Sequence, residues 1–349
     1  MLKRIFEKSD VMRKSLGWVF GLLLGVLLLA AVILATSAGL SMDRSYQYSR
    51  NAGLLPEYPE TDSHELTRVR LGEASYRARA GGLENQGPAL ILLHGFPETS
   101  AMWTPLLAAA VSQGYRVIAF DQRGYSPGAR PDQVVDYTIS NLVQDVVDIA
   151  DAVGFETFHL VGHDWGSAVG WGVVMAHPDR VLSWSSLSIP HPAAFGEALQ
   201  NDPEQKKRSA YMLLFQQPWL PEQLFAFNDQ MLLREVFYNS MTESQRREYL
   251  SLFSEQGAMT AALNWYRALN LAEQRLPGQP EIERPVLFIW GNADPAVSPY
   301  SIQAQRKYLL GPYKEIELDA GHWLMEEKTS AVVTAVLNQL NTTTYSAHR

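Results

Sequence analysis

Four short stretches of this 349-residue chain carry side chains that could do chemistry. Each begins where an apolar run typical of a buried strand ends, and they read HGFPE at 94–98, GHDWG at 162–166, GNADP at 291–295 and GHW at 321–323. In open α/β sheets, ligands bind at the carboxyl ends of the strands. We therefore expect the four stretches to meet in one site.

The second stretch predicts a carboxylate nucleophile. In LVGHDWGSAVG (160–170), a short strand, a tight turn and a Gly/Ala-rich helix start follow one another. Asp164 stands at the apex of the turn, where many hydrolases have a serine. Gly162 and Gly166 provide the small residues that a strained turn needs two positions before and after its apex. Ser167 cannot take over, because it falls in the first helical turn.

A carboxylate at this position suits attack on an sp3 carbon, because it is ionised at neutral pH and needs no base to activate it. The attack leaves an alkyl ester on Asp164, which water must then hydrolyse. His322 is the predicted base for that water, and Asp294 is the acid that orients the histidine. The backbone N–H groups of Phe96 and Trp165 are the predicted oxyanion hole. The order nucleophile, acid, histidine is typical of α/β-hydrolases.

The elements that position these residues follow from the hydrophobic pattern. HELTRVRLG and ASYRARAGG predict an antiparallel pair of strands, after which strands and helices alternate. Further strands are predicted at 89–95, 116–120, 158–162, 181–189, 285–291 and 314–321, and helices at 101–113, 138–152, 166–177 and 328–340. This alternation predicts an α/β fold, with a mostly parallel sheet and helices on both faces. The segment from 194 to 280 has no strand pattern and predicts an inserted helical cap.

The chain therefore divides into six predicted segments. They are a cytoplasmic basic segment at 1–15, a transmembrane anchor at 16–40, a linker at 41–63, the first part of the α/β core at 64–193, the helical cap at 194–280 and the second part of the core at 281–345.

The anchor prediction rests on residues Ser15–Met42, which contain no charged side chain. This length is enough to cross a bilayer and exceeds a typical signal-peptide core. The preceding segment carries five basic and two acidic residues, which predicts a cytoplasmic N-terminus and a catalytic domain on the periplasmic or extracellular side. The lipid bilayer is then a partner of the N-terminal helix. A cleaved signal peptide and a secreted protein would also fit, because TSAG at 36–39 offers a small-residue cleavage site.

Composition excludes several functions. The net charge of −8 argues against a nucleic-acid partner, since phosphate binding needs a basic surface. Without residues 1–15, whose net charge is +3, the remainder carries −11. The chain has no cysteine, which excludes thiol catalysis, disulfides and thiolate metal sites. No metal or organic cofactor is implied, and the expected ligands are a small apolar substrate and water.

The motifs resemble those of the α/β-hydrolase-fold epoxide hydrolases, whose aspartate-nucleophile branch also contains haloalkane dehalogenases. The match covers about residues 64–340. HGFPE is similar to the family's oxyanion motif, GHDWGS to its nucleophile elbow, and YMLLFQQPWLPE and LNWYRAL to its two lid-tyrosine motifs. The resemblance implies that Tyr211 and Tyr266 lie over Asp164 and donate hydrogen bonds to the oxygen of an opening epoxide. DQRGYSPGARP departs from the family's loop, because Ser-Pro-Gly replaces the commoner Gly-x-Ser.

The expected activity is therefore the opening of epoxides to vicinal diols. A haloalkane-type dehalogenase would use the same aspartate, acid and histidine, although Phe96 and the two tyrosines favour the epoxide. Two further functions stay open, namely a membrane-anchored hydrolase whose substrate is not an epoxide and an anchored binding protein with a silent site. Asp164 itself disfavours a serine esterase.

Overall fold

The computed structural model describes residues 66–271 and 280–347. The predicted basic segment, anchor and linker, residues 1–63, lie outside the described residues. Within the described ranges, no helix combines the length and the apolar character needed to cross a membrane.

Eight strands form one sheet, in the spatial order β1-β2-β4-β3-β5-β6-β7-β8. Their bounds are β1 Leu66–Leu71, β2 Ala74–Gly81, β3 Ala89–Leu93, β4 Arg116–Phe120, β5 Phe158–His163, β6 Val181–Leu187, β7 Val286–Gly291 and β8 Tyr313–Leu318. β2 pairs antiparallel with both β1 and β4, and all other neighbours are parallel. The predicted mostly parallel sheet is confirmed.

Burial explains the two kinds of strand pattern. Every residue of β3, β5 and β7 is buried, because helices cover both faces of the central sheet, and these strands are therefore continuous apolar runs. β2 lies near the edge and alternates buried with half-buried residues along most of its length.

Helices of the core flank the sheet. They are α1 Thr104–Ser112, α2 Ile139–Ala152, α3 Trp165–Ala176, α10 Pro299–Gln305, α11 Leu324–Glu327 and α12 Thr329–Ala347, with short 3-10 turns at Ser100–Trp103, Val134–Tyr137 and Arg306–Tyr308. The predicted alternation of strands and helices is confirmed. The glycine-rich α3 packs closely on the sheet, since a Cβ at Gly170 would lie 2.1 Å from the Trp184 ring.

The described residues between β6 and β7 contain helices and no strand of the sheet. The helices are α4 Pro192–Asn201, α5 Pro203–Arg208, α6 Tyr211–Phe215, α7 Leu220–Leu232, α8 Glu243–Ser254 and α9 Ala258–Ala268, with a π-helical turn at Leu233–Phe237. α7 is interrupted at 227–230, where the backbone is not helical. We call α4–α9 the cap. The domain limits of 194 and 280 that the sequence suggests for it remain a prediction.

Buried and partly buried polar contacts hold the cap on the core. Glu248 of α8 accepts hydrogen bonds from Arg79 of β2 and from the Thr99 hydroxyl. The Tyr238 hydroxyl donates to the Pro97 carbonyl at 2.6 Å, and the Arg208 guanidinium donates to the carbonyl of Asp294. The loops after β3 and β7 are therefore bound directly to the cap.

Candidate active site

Asp164 lies on a strained turn between β5 and α3. Its φ of 51° and ψ of −121° are unusual for a residue with a side chain. Such strain persists only where the surroundings hold it, and here the backbone packs tightly around the turn. A Cβ at Gly162 would lie 2.4 Å from the Gly166 carbonyl oxygen, and one at Gly166 would lie 2.1 Å from that of Leu93. A side chain at position 162 or 166 would therefore clash with the backbone, which agrees with the need for small residues expected from the sequence.

Phe96, the first residue of the predicted oxyanion hole, contacts the carboxylate directly. The Phe96 N–H donates a hydrogen bond of 2.9 Å to Asp164 Oδ1. This amide can approach because residue 95 is glycine, where a Cβ would lie 2.4 Å from the Asp164 Cβ. Trp165, the second predicted donor, begins α3 immediately after Asp164, so its N–H is one of the free amides of the first helical turn.

His322 lies between the two predicted carboxylates. Its Nε2 is 3.3 Å from Asp164 Oδ2, and its Nδ1 is 2.9 Å from Asp294 Oδ2. All three side chains are buried. The structure therefore brings together three residues that are separated by up to 158 positions in the sequence.

The charges of this triad stabilise one another. Burial by itself lowers the pKa of His322, but the Asp294 charge and the hydrogen bonds to both carboxylates raise it well above its ordinary value. Burial raises the pKa of each carboxyl, but the contacts with His322 outweigh it, so that the pKa values of Asp164 and Asp294 lie below the usual range. The free site therefore favours a carboxylate–imidazolium–carboxylate arrangement.

Ser188 is a member of this cluster that the sequence reasoning missed. Its hydroxyl donates to Asp294 Oδ2 and lies 3.0 Å from His322 Nδ1. The strand predicted at 181–189 ends at Leu187, because Ser188 has a φ of +77° and turns out of the sheet. The sequence did offer one indication of this role, because Ser188 directly follows β6, which pairs with the strand that precedes Asp164.

A second buried cluster supports the backbone of the histidine. His163 Nε2 is 2.9 Å from the His322 carbonyl oxygen, and His163 Nδ1 is 3.2 Å from Glu98 Oε2. Burial lowers the pKa of His163, so the ring is neutral and its Nε2–H donates to the carbonyl. Nδ1 then has only a lone pair, and Glu98 can bond to it only as a protonated acid.

The pKa of Glu98 agrees with that assignment. Burial raises it to about 8, and the pKa of the nearby Glu326 carboxyl is raised well above its ordinary value for the same reason. Glu326 also accepts a hydrogen bond of 3.1 Å from Gln245 of the cap. Glu98 belongs to the HGFPE stretch, but nothing in the sequence revealed that it faces another carboxyl.

The two predicted lid tyrosines lie together in the cap. The ring centroids of Tyr211 and Tyr266 are 6.2 Å apart, and the Tyr266 ring packs edge-on against Phe96 at 5.5 Å and against Trp165 at 5.0 Å. Burial raises the pKa of both phenols, and the Asp164 charge raises it further. Both hydroxyls therefore remain protonated donors within the electrostatic range of Asp164.

A cavity of about 310 Å³ opens beside these groups. Asp164, Trp165 and Tyr211 line it together with side chains that are otherwise mainly apolar. Its volume is at the lower end of the range for small-molecule sites. Among the described residues, no group of three or more His, Asp or Glu side chains could hold a metal ion.

The fold and this site define an enzyme class. The profile of the alpha/beta hydrolase fold family matches residues 88–329, which include the core strands from β3 to β8 and the whole cap. The chain belongs to the alpha/beta hydrolase fold family and is an enzyme of that class.

Several relatives of the chain are named epoxide hydrolases. Human epoxide hydrolase 4 is 30% identical over 285 residues, which is 78% of each chain. Epoxide hydrolase A of Mycobacterium tuberculosis strain H37Rv is 33% identical over 300 residues, covering 74% of this chain and 91% of the relative. A solved structure of a Bacillus megaterium epoxide hydrolase variant, in complex with its diol product, superimposes with a TM-score of 0.71 at 25% identity and covers 79% of this chain and 100% of the other.

Proposed function

We propose that this protein hydrolyses epoxides to vicinal diols through a covalent ester on Asp164. The observation that carries the proposal is the arrangement around one carboxylate. An amide and an imidazole contact its two oxygens, and two protonated phenols lie in the cap beside the cavity. The relatives named as epoxide hydrolases support the same substrate class.

In the first step, Asp164 Oδ2 attacks a ring carbon of the epoxide. The new C–O bond forms as the ring C–O bond breaks, and the electron pair of the broken bond goes to the ring oxygen. That oxygen is a poor leaving group unless it is hydrogen-bonded or protonated, and Tyr211 and Tyr266 are the proposed donors. Their raised pKa values keep the protons available until the oxygen becomes strongly basic.

In the second step, water attacks the carbonyl carbon of the Asp164 ester. His322 Nε2 takes the proton of the water, and Asp294 stabilises the imidazolium that results. Negative charge develops on the ester carbonyl oxygen, where the Phe96 N–H already donates to the carboxylate. When this intermediate collapses, the bond between the carbonyl carbon and the substrate oxygen breaks, and the His322 imidazolium gives its proton to that oxygen, so that the diol leaves. The acid that remains on residue 164 gives its proton back to His322 and becomes a carboxylate that holds one oxygen atom from water.

Esterification also prepares His322 for its role as the base. In the free site, the Asp164 carboxylate helps to hold the pKa of His322 above its ordinary value, so the ring is protonated and cannot act as a base. Formation of the ester removes that negative charge and lowers the pKa of His322. The ring then loses its proton, which replaces the one that a tyrosine has given to the opened epoxide oxygen. The ring therefore becomes a base only after there is an ester to hydrolyse.

The cavity supports an apolar substrate of modest size. Its lining includes Ile189, Phe195, Leu199 and Met212, and the polar groups are concentrated at Asp164 and Tyr211. An apolar wall with a few convergent polar groups binds a hydrocarbon portion and orients one reactive group.

Single turnover in 18O-labelled water tests the covalent step. With enzyme in excess over epoxide, the first diol should carry unlabelled oxygen from Asp164, and the label should then appear in the peptide that contains residue 164. Direct entry of the label into the first diol would refute the ester mechanism.

A haloalkane dehalogenase is the second candidate, because the same triad can displace a halide. The Trp165 side chain, which could face a halide, packs edge-on against the Tyr266 ring, with the ring centroids 5.0 Å apart. A parallel assay of diol formation and halide release separates the two activities, and we expect diol formation to dominate.

We further propose that the N-terminal apolar stretch Ser15–Met42 anchors the protein in a membrane, with the N-terminus cytoplasmic and the catalytic domain outside. Its length and the basic residues that precede it support this topology. A reporter that is active only in the cytoplasm should be silent when fused after Arg349, and an active reporter would contradict the orientation.

A further inference from the structure

The cap exposes a set of large apolar side chains. Leu213 is 66% exposed, Trp219 57%, Leu220 42% and Leu269 40%. We call these four residues the cap patch. Single exposed leucines are ordinary, but a group of them with a tryptophan marks an interaction surface.

Hydrogen bonds bring together the segments that carry the cap patch. The Gln217 side-chain amide donates to the Leu213 carbonyl at 3.0 Å, and the Arg267 guanidinium donates to the Gln217 carbonyl at 2.7 Å. Leu213 on α6, the α6–α7 turn that carries Trp219, and the end of α9 before Leu269 therefore meet around Gln217.

The cap patch borders the opening of the active-site cavity. Leu269 is exposed and also lines the cavity with Asp164. Tyr211 and Met212, on the same short helix as Leu213, line it too. A molecule that covers the patch would thus cover the route to the nucleophile.

Basic side chains lie beside this apolar surface. Lys206 and Lys207 of α5 are exposed, and hydrogen bonds from Ala210 N–H to the Lys207 carbonyl and from Leu213 N–H to the Ala210 carbonyl continue the helical path. These two successive i→i+3 hydrogen bonds link Lys207 to Leu213, so the lysines precede the cap patch by about two turns of the chain. Apolar side chains next to lysines suit a lipid surface, where the former enter the acyl region and the latter meet headgroups.

The proposed anchor would hold the domain close to a bilayer. Ser15–Met42 is the proposed anchor, and 23 residues separate it from Leu66. Fully extended, they span up to about 75 Å, whereas a domain of this size is roughly 50 Å across. The tether can therefore bring any face of the domain to the membrane, and the surface chemistry selects the face.

We propose that the cap patch docks on the bilayer that holds the anchor, so that the cavity opens towards lipid. Lipophilic substrates then enter the site from the membrane rather than from water. The docking rests on the proposed anchor, and its consequence for substrate entry rests on the proposed epoxide hydrolysis.

Site-specific depth measurement tests the docking without relying on activity. Because the chain has no cysteine, Leu213→Cys carries a single fluorescent label in the full chain. The matched control is Leu310→Cys, which is 63% exposed and precedes β8 at the sheet end opposite the cap. Both proteins are reconstituted in vesicles of phosphatidylcholine and phosphatidylglycerol that contain spin-labelled lipid.

We expect several-fold stronger quenching of the label at position 213 than at position 310. Equal quenching at the two positions, or no association of the full chain with the vesicles, would overturn the proposal. So would a label at 213 that becomes shielded without lipid as protein concentration rises, since that result assigns the patch to a second copy.

A kinetic comparison tests substrate entry. We expect Leu213→Gln with Trp219→Gln to lower kcat/KM several-fold for an epoxide dissolved in the vesicles and to leave a water-soluble epoxide unaffected. Equal effects on both substrates would refute entry from the membrane. If the wild-type chain opened no epoxide at all, the proposed function would fail, while the depth measurement would still decide the docking.

Discussion

Replacing Asp294 by asparagine should separate the two chemical steps. The Asp294 carboxylate lies 2.9 Å from His322 Nδ1. In the proposed mechanism it stabilises the imidazolium that forms when His322 takes a proton from water. Two unit charges about 4 Å apart interact by about 4 kcal/mol at the effective dielectric constant of a protein site. Loss of that interaction slows ester hydrolysis by about 1000-fold, since 1.4 kcal/mol corresponds to a factor of ten.

The first step should be affected far less. Attack by Asp164 creates no new charge on His322, so the alkylation rate in Asp294→Asn should remain within about tenfold of wild type. The ester then forms faster than it is hydrolysed and accumulates. Rapid quenching followed by mass spectrometry of the intact protein should show an adduct with the mass of the epoxide, located on the peptide that contains residue 164.

Asp319→Asn is a suitable control. Asp319 directly follows β8, is exposed, and its replacement removes the same charge without touching the triad. It should hydrolyse the ester at the wild-type rate. The reasoning would be refuted if Asp294→Asn released diol slowly without accumulating an adduct, or if both variants slowed equally.

Three other variants test separate parts of the site. Tyr211→Phe combined with Tyr266→Phe should slow alkylation by about 100-fold or more, because both donors to the epoxide oxygen are lost, and rapid-quench adduct formation at the wild-type rate would contradict their role. Gly95→Ala places a Cβ 2.4 Å from that of Asp164 and should reduce kcat on the order of 100-fold. An unchanged kcat would show that the loop after β3 can move to accommodate the added methyl group. Glu98→Gln should remove a pH dependence of stability. In the folded protein the pKa of Glu98 is raised to about 8, so the folded state holds the proton more tightly than the unfolded state. The free energy of unfolding of wild type therefore falls as pH rises from about 4.5 to 8, by up to about 1.4 kcal/mol per pH unit. Urea unfolding at several pH values measures this slope, and identical slopes in both proteins would mean that the buried carboxyl does not titrate in this range.

Much of the fold was predictable because its signals are local. β3, β5 and β7 are buried on both faces, so their apolar runs stand out in the sequence without knowledge of their partners. The turn at Asp164 was predictable for a related reason. Its strain requires small residues at fixed short distances along the chain, and these can be counted in the sequence.

The supporting contacts of the triad could not be predicted in the same way. Ser188 and Asp294 are 106 residues apart, and only the pairing of β6 with β7 brings the hydroxyl to the carboxylate. Glu98 and Glu326 look like ordinary acidic loop residues, and their raised pKa values come from burial that the packing of distant segments creates.

The sequence by itself thus determined the order of strands and helices, the turn that carries Asp164 and the net charge, because each depends on residues close together in the chain or on composition. Tertiary structure decided the direction of the pKa shifts in the triad, the partner of Asp294 and the surface on which the cavity opens. These depend on distances of a few ångströms between segments far apart in the chain, and such distances exist only after the chain has folded.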